Sequence, residues 1–217
     1  MKIQEIYEKY QIMPQLQEHQ FRVAGVAGLI CDNFVGEIDK GEIVTACLLH
    51  DMGNIIKFDL TKTSALLNRP IDLGHWQKVK AEFIAKYGAN EHHATTLIAR
   101  ELKLDQRLID LIDCIGFYEA PLNAQNHDFG KKIVQYSDDR VTPHGVVSLE
   151  HRLQDLRNRY DNHQQDTAVR DNFENALREM EKQIFARCKI KPAEITEESI
   201  KSLVEKLRNF DLSTREI

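Results

Sequence analysis

Apolar residues recur at steps of three and four along most of this chain, the spacing of helices that bury one face. After Pro14, which suits a first helical turn, Leu16, Val23, Val26, Ala27 and Ile30 form one stripe running to about residue 33. A second stripe begins near Asp39, where Asp39 and Glu42 have capping-box spacing, and takes in Ile43, Ala46 and Cys47, with Val44 and Leu48 beside it. This segment is apolar nearly all round, which predicts a central helix. Further helices are predicted at 2–10, 75–87, 91–103 behind Asn90, 106–118 behind Asp105, and 129–141. Ser148 opens another, with Leu149, Leu153 and Leu156 in line, and charged helices follow at 165–189 and 196–209. No run alternates with the period of a strand. Residues 53–74, the connection 121–126 and the break Thr142-Pro143-His144-Gly145 read as irregular. The predicted class is all-α, a helical bundle without coiled-coil heptads.

Composition adds limits. A chain of 217 residues with 42% apolar content can build one sizeable domain. The expected division is a helical domain at 1–145 and accessory C-terminal helices at 146–217, packed on it or offering a homodimer surface. A net charge of −5 gives no bulk attraction to nucleic acid, although one arginine or a metal could hold a phosphate locally. The four cysteines are scattered, and three sit among apolar residues, as buried free thiols do. With no apolar leader at residues 1–5 and no run long enough for a membrane span, the expected location is cytoplasmic.

Four polar residues stand on or beside these apolar faces. His19 lies three residues after Leu16 and four before Val23; His50 and Asp51 end the central helix; Asp138 follows Val134 by four. Singly, each has an ordinary explanation: a hydrogen-bonded core histidine, a helix-end carboxylate, a salt bridge. Together they need partners, because an unpaired buried charge costs several kcal/mol. One divalent metal would satisfy all four. Two imidazoles and two carboxylates suit Mn, Fe, Co, Ni or Zn better than Mg or Ca. Adjacent helical residues point about 100° apart, so such an ion sits beyond the helix end, where Gly53 leaves room.

Glu18-His19-Gln20, then Leu48-Leu49-His50-Asp51-Met52-Gly53-Asn54, then Gln135-Tyr136-Ser137-Asp138 resembles the H…HD…D signature of the HD-domain metal-dependent phosphohydrolases, over about residues 15–141. The resemblance implies an HD-type helical bundle, divalent metal, and hydrolysis of a phosphomonoester or phosphodiester, often of a nucleotide. It makes His19, His50, Asp51 and Asp138 the metal ligands. Asp139 is the rival for the last place; Asp138 is preferred because it follows a small residue, Ser137. Relatives with two metals carry two further histidines. Here the first would fall at Asn90-Glu91-His92-His93 and the second at Gly116-Phe117-Tyr118-Glu119, so one metal per chain is expected. On a helical wheel with Ala94, Leu97, Ile98 and Leu102 inward, Glu91 is nearest that face, His93 at its edge and His92 away from it. Glu91 or His93 is therefore the expected general acid or base, against the plain reading of a solvated helix start. Asn54 stands where some relatives carry Lys or Glu; it can hold a phosphate oxygen but does no base work. Arg22 and Arg140 are the expected phosphate contacts, ahead of Lys57 and Arg69. Trp76 and Tyr118 could stack on a base, though packing explains them as well. The rival readings are an HD-fold di-iron oxygenase and a non-catalytic metal-containing interaction module.

Overall fold

The central helix owes its place to having no polar face: every residue from 43 to 49 is buried. In the computed structural model, which describes residues 1–61, 72–160 and 167–215, eleven α-helices lie among the described residues. They are α1 (Ile3–Lys9), α2 (Pro14–Asn33), α3 (Lys40–Leu49), α4 (Leu73–Tyr87), α5 (Glu91–Glu101), α6 (Gln106–Asp113), α7 (Ala120–Gln125), α8 (Phe129–Asp138), α9 (Leu149–Tyr160), α10 (Thr167–Phe185) and α11 (Glu197–Leu207). Helix α3 is wrapped by α2, α6 and α8. The helix starts carry the expected caps: Asp39 accepts from the Glu42 amide at 2.9 Å, Asn90 from that of His93 at 2.7 Å, and Asp105 from that of Leu108 at 2.9 Å.

Two stretches differ from the periodicity. Helix α6 stops at Asp113, and the expected connection 121–126 instead forms α7. Asn123, a loop residue by type, is buried and donates to the Cys114 carbonyl at 2.8 Å, so it closes the end of α6. The break after α8 is a minimal hairpin, β1 (Val141–Thr142) against β2 (Gly145–Val146), turned by Gly145 at φ +134°. The irregular stretch 53–74 holds a 3₁₀ turn at Asn54–Ile56; residues 62–71, with Arg69, lie outside the described residues.

One apolar core runs from Ile3 to Phe210. The C-terminal helices share it: α10 packs along α7 and α8, and α11 lies on α2. At that crossing Gly25 lets the helices close up, since a Cβ there would come within 2.9 Å of Val204 Cγ2. The Ile3 amide donates to the Phe210 carbonyl at 2.9 Å, tying first helix to last. No described helix is long and apolar enough to cross a membrane.

Candidate metal centre

Helices α2, α3 and α8 deliver four side chains to one point. His19 comes from the middle of α2, His50 and Asp51 from the end of α3, and Asp138 from the last residue of α8. His19 Nε2 lies 3.0 Å from Asp138 Oδ1 and 3.6 Å from Asp51 Oδ2. His50 Nε2 lies 3.3 Å from Asp138 Oδ1 and 3.6 Å from Asp51 Oδ2. The imidazole rings are 5.4 Å apart, centre to centre.

The donor set fits a divalent cation. Ligand atoms about 2.1 Å from one ion, at angles of roughly 90–110°, lie ~3.0–3.4 Å from each other, close to the observed spacing. His50 Nδ1 sits 2.8 Å from the Cys47 carbonyl and is the donor there, which turns Nε2 toward the group. That Nε2 is buried and makes no hydrogen bond, although Asp138 Oδ1 lies 3.3 Å away. An imidazole fixed by its own helix and left unsatisfied at the other nitrogen is the arrangement a metal ligand requires.

The carboxylates set the local protonation. Burial pulls the His50 imidazole toward neutrality, but the charges of Asp51 and Asp138 outweigh it and raise its pKa to about 9. Burial pushes the Asp138 carboxyl up, while the hydrogen bond with His19 and the nearby imidazoles of His50 and His19 hold it well below the usual range. Asp139, buried and beside Asp138, is pushed up to about 7. Gln135 holds Asp139 through Nε2 at 2.7 Å and receives the Gly116 amide at 2.9 Å on Oε1.

The group forms the floor of a cavity of about 760 Å³. Arg22, Asn54 and Lys57 line it beside the floor, and Ile115, Phe117, Leu153, Leu156 and Phe173 form an apolar wall. Two expected contacts change. His92, not His93, faces the cavity; His92 Nε2 lies 3.8 Å from Glu91 Oε1, and Lys57 Nζ lies 4.0 Å from the same oxygen. The reason is Thr95. Its hydroxyl accepts from the Gly53 amide at 2.9 Å and donates to the Glu91 carbonyl at 3.0 Å, so a residue counted as polar faces inward and rotates α5. Arg140 is turned away from the cavity: its buried guanidinium donates to Tyr136 Oη and to the carbonyls of Val147, Pro192 and Ile195. With four of its five N–H groups spent on these acceptors and the side chain off the cavity lining, Arg140 does not reach a phosphate there, and the expectation of substrate contact at Arg140 is corrected. Arg22 lines the cavity, with its Nε on Glu197 at 2.7 Å.

The HD domain family profile matches residues 16–116. This chain carries an HD domain. HD domains are in general metal-dependent phosphohydrolases, and they bind divalent metals; His19, His50 and Asp51 form a cluster able to hold one. No curated protein and no solved structure matches the chain. The match includes His19, His50 and Asp51 and ends before Asp138, so three of the four clustered residues fall within the recognised domain and α8 supplies the fourth from beyond it. The aromatic candidates Trp76 and Tyr118 lie off the cavity, where Phe117 and Phe173 stand instead, their rings stacked at 4.5 Å. Periodicity marks Leu153 and Leu156 as inward but offers no sign that their stripe faces this site.

Proposed function

We propose that this protein hydrolyses a phosphomonoester or phosphodiester of a nucleotide, using one divalent cation held by His19, His50, Asp51 and Asp138. The observation that carries the reading is the buried, unpartnered Nε2 of His50 among these residues, at the floor of a cavity lined by Arg22 and Lys57. Bound there, Mn, Fe, Co, Ni or Zn supplies the positive charge that activates water and offsets the phosphoryl oxygens.

The chain's own groups do the rest. Asn54, buried and facing the cavity, can donate to a phosphoryl oxygen. Arg22 and Lys57 add charge on the open side. His92, with Glu91 beside it, is the group placed to exchange a proton with the leaving oxygen. The apolar wall of Phe117, Leu153, Leu156 and Phe173 excludes water and suits a nucleoside; a volume of about 760 Å³ is enough for one. Four unpaired cysteines suit a reducing, cytoplasmic setting.

Metal analysis of the purified protein, with a nucleotide and phosphoester hydrolysis screen, tests the proposal. Turnover that disappears on chelation and in His50→Ala is the expected result. A protein that holds no metal, and gains no activity from added Mn or Co, would overturn it.

A further inference from the structure

The C-terminal helices contribute more than apolar wall to this cavity. Arg152, in the first turn of α9, lines it, and its side chain is only 13% exposed. Nη1 donates to Asp155 Oδ2 at 3.1 Å. Nε is buried and has no hydrogen-bond partner. The ion pair on Nη1 leaves the Nε–Nη2 edge, a two-donor fork matched to an oxyanion. A buried guanidinium N–H left unsatisfied is costly, and the side chain that carries it lines the cavity. Two other arginines on the cavity wall are ion-paired, Arg22 with Glu197 through Nε and Arg157 with Glu174 through two of its nitrogens. Arg152 also stands close enough to Asp139 for its charge to act there, next in the chain to Asp138. Both Arg152 and the helix that carries it lie outside the segment matched as an HD domain.

We propose that Arg152 binds a phosphoryl oxygen of the substrate through its Nε–Nη2 edge, so that α9 supplies the cavity with an anion-binding residue from outside the HD domain. The inference rests on the phosphoester reading above for the identity of the anion. It extends that reading by giving the C-terminal helices a direct role in recognition. A planar fork at this position favours a terminal phosphate, whose several free oxygens can meet metal and guanidinium together, over an internal diester.

The test uses inorganic phosphate as probe, with the full chain loaded with Mn. Calorimetry on wild type, Arg152→Gln and Arg152→Lys reads phosphate affinity; metal content and melting temperature without phosphate are read on the same samples. The expected result is a loss of tenfold or more in phosphate affinity for Arg152→Gln, with metal content unchanged. Arg152→Lys, which keeps the charge without the fork, should fall between the two. If Arg152→Gln folds and binds phosphate within twofold of wild type, or if wild type binds no phosphate, the inference is overturned. If Arg152→Gln melts early, the lysine variant decides: wild-type affinity there removes the role assigned to the fork. Hydrolysis separates the two readings. Arg152-dependent phosphate binding without any turnover sinks the hydrolase reading and supports this one; turnover with a KM indifferent to Arg152→Gln does the reverse.

Discussion

His50 is a proton site and, in the function proposed above, a metal ligand through the same ring. Without metal, its folded-state pKa of about 9 lies above the ordinary value near 6.5. The stability this adds is complete below about pH 6.5 and is lost as pH rises through about 9. Asp139, raised to about 7, acts in the same direction, because the folded chain holds its proton more tightly than the unfolded one. A metal needs the neutral imidazole, so binding displaces the proton. The metal-stripped protein should therefore melt at lower temperature as pH goes from 6.5 to 9. Over the same range the gain in melting temperature on adding Mn or Zn should widen, with affinity rising by up to ~10-fold per pH unit. A gap that narrows instead would remove His50 from the ligand set. At this scale much was legible: polar residues placed on apolar stripes led to His19, His50 and Asp138. What was not legible is illustrated by Arg140, three of whose four acceptors come from residues 147, 192 and 195, partners no helical spacing could supply.

Elements position the site through a few close approaches. The turn after α3 presses on α5 at Gly53, where a Cβ would sit 2.8 Å from that of Ala94 and closer still to the Glu91 carbonyl oxygen. Gly53 has φ −92°, so space and not backbone conformation excludes a side chain. Gly53→Ala should cost on the order of 3 kcal/mol, lowering the melting temperature by several degrees; an unchanged melt would contradict the packing. Thr95→Val keeps the shape but leaves the Gly53 amide without its acceptor. A loss of about 1–3 kcal/mol, with weaker metal binding, is expected by thermal melting and metal titration. Helix spans and caps were largely predictable, because they depend on neighbours three and four residues away. The orientation of α5 was not. Its inward face includes Thr95, which pairs with a backbone amide 42 residues earlier, and that contact brings His92 to the cavity in place of His93.

At the scale of the whole molecule, the described residues after 146 are structurally continuous with what precedes them. Arg140 holds the end of α8 to the segment 192–195, and the apolar core does not divide. Arg140→Met should destabilise by about 3 kcal/mol, since it takes the guanidinium donor from the Val147 and Ile195 carbonyls and one partner each from Tyr136 Oη and the Pro192 carbonyl. The KM of the folded variant should stay as in wild type. A raised KM with an unchanged melt would return Arg140 to substrate binding. The sequence marked these C-terminal helices only as charged and amphipathic. Their part in the cavity depends on how they fold back, which no motif records.

The seat of α11 on the glycine face of α2 also bears on how the chain is made. Synthesis runs from the N-terminus, so α2 and the histidine it carries leave the ribosome long before their cover. Until residues 200–207 emerge, the face around Gly25 and Gly28 stays bare, and α2 has no final packing. Asp138 and Arg152 also arrive late, one after another. A nascent chain can form its helices early, but the four residues at the cavity floor are not all present until Asp138 has been made, and α2 gains its cover only when α11 follows. A stalled or truncated product would present an open apolar seam to chaperones and proteases.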